Sequence, residues 1–229
     1  MHKRNIVILL FFSFCLFVFG KNGPKTYIDN GSEGILEIEE LEKNITLALN
    51  GDQYAAYNIF EHYMSVPMES KKEFLQKTLY WSIIAAENDT YGRNMYTLYS
   101  FNKTFNCISD ERSFFWLLRS VRLNYKDSLD EIKQLEISTE DMSNVDLSSH
   151  KFNFVEYKKY AESGNQYATL SLINYFKNLS DVEQIKYWLC IGAQNGSKEC
   201  MKEYADLLRK SSNKNDNIRA GFWERKAKS

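Results

Sequence analysis

Apolar residues recur every four positions along most of this chain, with polar residues on the opposite side of the helical wheel. From Gly51 the step of four picks out Ala55, Ile59 and Tyr63; from Gly164 it picks out Ala168, Leu172 and Phe176; from Gly196 it picks out Cys200, Tyr204 and Leu208. A small residue followed by larger apolar ones at that step is one buried stripe of a helix. The residue opening each run is a glycine, the type that closes one helix in a left-handed cap and lets the chain reverse. The pattern predicts helices over 34–50, 52–64, 70–87, 90–104, 111–123, 126–136, 151–162, 165–178, 181–194, 197–210 and 217–227. Residues 137–149, rich in Ser, Thr, Asp and Glu, lack helical periodicity and read as one long loop dividing the array into two packed halves.

The tryptophans set the larger period. Trp81, Trp116, Trp188 and Trp223 are all the chain has, and they lie 35, 72 and 35 residues apart. Aligned on them, Ala85, Ala86 and Asp89 after Trp81 match Ala193 and Gly196 after Trp188, and Ala227 follows Trp223 in the same register. Lys159, Ala161 and Gly164 supply a unit without tryptophan, and Asn124 ends the unit of Trp116. A fixed period of this length, with two helices per period, marks an array of helical hairpins. Ala55, Ala168 and Cys200 then sit where two helix axes approach closely. Arg93 and Ser128 stand at the corresponding places in the other two units and depart from that pattern.

These residues carry a family resemblance. Trp81 with Ala85, Ala86 and Asp89, Lys159-x-Ala161-Glu162-x-Gly164, and Gly51 with Ala55, Tyr57, Asn58 and Ile59 resemble Sel-one-like repeats, α/α-hairpin relatives of tetratricopeptide repeats, over roughly residues 34 to 228. The resemblance implies an all-α fold, a right-handed α/α-hairpin solenoid of about five degenerate repeats, with a concave groove lined by the first helix of each hairpin. It further implies a non-catalytic protein-binding role in the periplasm or secretory pathway. Some small members of this kind serve as immunity proteins that neutralise a secreted toxin such as a lipase effector. Cysteine-rich relatives bind or hydrolyse β-lactams, but they carry a disulfide in most hairpins, for which this chain has too few cysteines.

Composition bounds the rest. Residues 1–20 have a basic start at His2, Lys3 and Arg4, an apolar run from Ile6 to Phe19 and Gly20 before Lys21, the layout of a secretory signal peptide. Residues 21–33 read as a linker. The mature protein is expected to be periplasmic or secreted, with no membrane association once the signal is removed. A bacterial source is favoured over a eukaryotic lumenal adaptor, although sequons at Asn30, Asn44, Asn88, Asn102, Asn178 and Asn195 would permit glycosylation in the latter. Without Lys3 and Arg4, the 29 basic residues become 27 against 30 acidic ones, so nucleic acid is not an expected partner. Acidic residues gather in the first predicted helix, Glu33 to Glu42, and basic ones between Lys202 and Lys228, as solvated faces at the two ends of an array.

No catalytic constellation is visible. Beyond residue 20 the histidines are His62 and His150, without zinc-helix spacing or a carboxylate cluster, so no metal, no cofactor and no catalytic residue is expected. Cys190 and Cys200 flank one predicted turn; either they form a disulfide across it or they are a core filler and the small repeat residue. Cys107 is left over in both cases. The candidate partner-binding residues are Tyr54, Tyr57, Tyr96 and Tyr167, which follow the turns and are expected to face the groove, because aromatics with a polar tip anchor protein interfaces. The partner is expected to be another protein.

Overall fold

The computed structural model describes residues 34–135 and 142–229, and every regular element among them is helical. The leader expected over residues 1–20, the sequon at Asn30 and part of the expected loop lie outside the described residues. In chain order the elements are α1 (Ile38–Leu49), α2 (Gln53–Ser65), α3 (Lys71–Asn88), α4 (Arg93–Phe105), α5 (Asp110–Arg122), α6 (Lys126–Leu135), a short 3₁₀ turn (Met142–Asn144), α7 (Phe154–Glu162), α8 (Gln166–Asn178), α9 (Val182–Gln194), α10 (Lys198–Arg209) and α11 (Lys214–Lys228). No described helix is long and apolar enough to cross a membrane.

Helix starts follow from local chemistry. Asp52, Ser70, Ser109, Asn153, Asn165, Asp181, Ser197 and Asn213 each accept hydrogen bonds from first-turn amides, satisfying donors the helix itself leaves open. Three residues past the cap comes the small position: Ala55, Ala168 and Cys200 are buried, and so is Ser128 three residues after Tyr125. Ser128 therefore obeys the rule it was expected to break. Arg93 does not occupy that position. The α3–α4 turn is longer, Gly92 precedes the helix, and buried Met95 takes the inward place while Arg93 points to solvent.

Consecutive helices pack against one another, α5 passes its contacts on to α7, and α11 packs against α1. The acidic first helix and the basic last one are thus neighbours rather than opposite ends. Two hydrophobic cores result. One spans Leu41 to Trp116 and includes Ile59, Ile84, Leu98 and Trp81; the other spans Leu147 to Ala227 and includes Leu172, Leu189, Trp188 and Trp223. All four tryptophans are buried, and each meets the aromatic ring just before it edge-on: Tyr80, Phe115, Tyr187 and Phe222 lie with ring centroids 4.9 to 5.1 Å away. The end of the expected loop is anchored: Leu147 is buried, and the Tyr157 hydroxyl donates to the Leu147 and His150 carbonyls.

Candidate functional site

The first helices of the hairpins meet at the centre of the molecule, where a polar network fills the space between the two cores. On one side Arg112 of α5 donates to the Asn195 side chain at 2.7 Å, to the Gln194 side chain, and to the Glu162 carbonyl at 3.4 Å. On the other side Arg219 of α11 donates to the Asn88 side chain at 2.9 Å, to the Glu87 carboxylate, and to the Leu49 carbonyl at 3.4 Å. Gln194 donates to Glu87 at 2.6 Å and joins the two clusters.

The contacts are reciprocal. Glu87 and Gln194 are 107 positions apart, as are Asn88 and Asn195, Arg112 and Arg219, Phe115 and Phe222, and Arg119 and Lys226. Arg112 lies 4.0 Å from the Phe115 ring centroid and Arg219 3.7 Å from that of Phe222. Arg119 caps the end of α9 through the Gln194 carbonyl, and Lys226 caps α3 through the Glu87 carbonyl, both at 2.7 Å. Each half presents its inner face to the other in the manner of a two-fold interface.

Burial pushes the Arg112 and Arg119 guanidiniums down from their usual range and holds the Lys226 ammonium at about 8, with neighbouring Arg119 and Arg219 adding to the effect for Lys226. Arg112, Arg219, Glu87 and Gln194 are all buried. The groove expected along the first helices is thus occupied by the protein's own side chains.

The four expected tyrosines lie elsewhere. Tyr54 and Tyr167 are 65 % and 48 % exposed at the starts of α2 and α8, in equivalent positions of the two halves. Tyr57 lies a turn after Tyr54, with the Arg93 guanidinium 4.7 Å from its ring centroid and donating to its hydroxyl at 3.4 Å. Tyr96, a turn after Arg93, packs against Tyr125 at 5.7 Å and Tyr99 at 6.1 Å. Tyr54, Tyr57, Arg93 and Tyr96, with Tyr125 just before α6, thus form a ridge along the second helices of the first half. Tyr167 packs on Tyr157 instead and lines a cleft beside Gly164.

Cys190 and Cys200 are buried free thiols, so the bridge between them is not formed. The reason is geometric: Cys200 Sγ sits in the space left by the missing side chain of Gly192, whereas Cys190 Sγ accepts from Gln194 at 3.4 Å. Burial pushes the Cys190 thiol up to about 12. Four described sequon asparagines, Asn44, Asn88, Asn102 and Asn195, are buried or tied into hydrogen bonds; Asn178 is exposed.

Arg112 and Arg219 were not singled out from the sequence. Their signal is their separation, which equals that of Trp81 from Trp188 and of Trp116 from Trp223. No family model matches the chain, and no curated protein or solved structure matches it either.

Proposed function

We propose that this chain is a non-catalytic binding protein of the periplasm or secretory pathway. It holds one protein partner, a secreted toxin that it neutralises, on the second-helix face of its first half. One observation carries the reading. The inner face is consumed by the Arg112–Gln194 and Arg219–Glu87 network, while Tyr54 and Arg93 are exposed on the second helices with Tyr57 and Tyr96 half-buried beside them. Tyrosine and arginine are the residue types that supply most binding energy at protein interfaces, since each offers large contact area with a polar end.

The test is co-purification of the full chain from its source at micromolar concentration, followed by mapping. A single stoichiometric partner is expected, and a Tyr57→Ala/Tyr96→Ala variant should weaken it at least about tenfold, the loss of one modest hot spot. Tyr167→Ala, on the other half, should leave binding unchanged. Retention of no partner, or a partner indifferent to Tyr57 and Tyr96, would sink the proposal.

A further inference from the structure

A cavity of about 760 Å³ opens between the α1–α2 turn, the α3–α4 turn, the end of α5 and the last turn of α11. Its wall carries Arg119, Arg122, Arg225 and Lys226. Three of these cations are held in place by helix-end carbonyls: Arg225 by Asn50 at 2.9 Å, Lys226 by Glu87 and Arg119 by Gln194. Each such bond uses a single donor, and a guanidinium has five and an ammonium three. The one acidic side chain on the wall among the described residues, Asp89, is turned to the backbone, accepting from the amides of Tyr91, Asn94 and Met95 at 2.7 to 3.1 Å. Phe222 gives the cavity an apolar side. The volume is that of a small-molecule pocket, and its cationic side chains outnumber Asp89 four to one among the described residues.

We propose that this cavity binds a small polyanion bearing phosphate or carboxylate groups, gripped by Arg122 and Arg225 at the mouth and Lys226 within. The fork of an arginine matches the paired oxygens of either group, and charge-assisted hydrogen bonds are the strongest a protein makes in such a place. The reciprocal cleft of about 500 Å³ shares two of these cations but not the others. It too is lined by Arg119 and Arg122, but Leu118 stands where Arg225 would be, and Gln166 and Asn195 line it instead. Burial, with Arg119 from α5 and Arg219 on its own helix, depresses the Lys226 ionisation to about 8 against the opposing pull of Glu87 from α3. An anion beside it draws a proton on at that pH.

Calorimetric titration of the full chain at low ionic strength and pH 8 tests this, with inorganic pyrophosphate and citrate as probes. One-to-one binding is expected for at least one probe, with proton uptake shown by heats that differ between buffers of unlike ionisation enthalpy. Arg122 and Arg225 are exposed, so Arg122→Gln/Arg225→Gln should fold, as circular dichroism would verify, and bind at least about tenfold more weakly, the loss of one to two charge-assisted bonds. Lys202→Gln, on α10 away from the cavity wall, should bind as the unaltered chain does. No heat above dilution with either probe, or equal binding by the double variant, overturns the proposal and leaves Arg119, Arg225 and Lys226 with helix capping alone.

Discussion

At the scale of single residues, the molecule's most consequential choice is to bury an ion pair. Arg219 and Glu87 are both almost wholly removed from water, where their attraction offsets the cost of desolvation only because hydrogen bonds satisfy most of their remaining atoms. Removing one partner strands the other. Arg219→Ala should therefore destabilise the fold by about 3–5 kcal/mol in urea denaturation, and Glu87→Leu/Arg219→Met should recover part of that loss. An additive double variant would refute the pairing. His62 is a second informative residue. Its Nδ1 accepts the Leu36 amide at 3.0 Å, and burial, with Lys77 nearby, pushes its ionisation below the ordinary value of 6.5. The unfolded chain thus takes up a proton that the folded one refuses, so this contribution to stability is present above pH 6.5 and lost as pH falls. Amide exchange at Leu36, corrected for intrinsic rate, should speed up between pH 7 and pH 5, and the acceleration should vanish in His62→Phe.

Among the elements, the turns separate two demands that look alike in sequence. Gly51, Gly164 and Gly196 all have positive φ, at +110°, +105° and +93°. At Gly51 and Gly164 a Cβ would also come within 2.8 Å of the Phe222 ring and 2.7 Å of the Phe115 ring, each from the opposite half, whereas at Gly196 nothing lies closer than 3.7 Å. Gly196→Ala should cost only backbone strain, about 1–3 kcal/mol. Gly51→Ala and Gly164→Ala should cost that and more, because a buried ring must shift. Thermal midpoints of the three variants give the comparison, and equal losses would mean the rings yield freely. The helices themselves, their glycine turns and three of their small positions were legible beforehand, since Ala55, Ala168 and Cys200 obey a local rule; Ser128 obeys it too, although it was expected to depart from it. Met95 was not, because two added turn residues changed the register of α4.

For the whole molecule, the reciprocal network changes how the chain should unfold. In an open repeat array each unit touches only its neighbours, so units can melt separately. Here α11 reaches α1 and α3, and α5 reaches α7 and α9, with bonds joining residues 50 to 175 positions apart. Circular dichroism and tryptophan fluorescence should report one coincident transition, and Arg112→Ala in the first half should speed amide exchange in α9 of the second. A populated intermediate with one half intact would contradict this.

What the sequence alone determined is the local layer: helices, glycine turns and the small position at Ala55, Ala168 and Cys200. These follow from periods of four and about thirty-five residues, which nearest neighbours along the chain enforce. Only the tertiary structure decided that the inner faces meet and fill the expected groove, that Cys200 turns to Gly192 instead of Cys190, and that Tyr57 and Tyr96 share a ridge through Arg93. Those outcomes depend on which distant side chains come within a few ångströms of each other, and no local period encodes that.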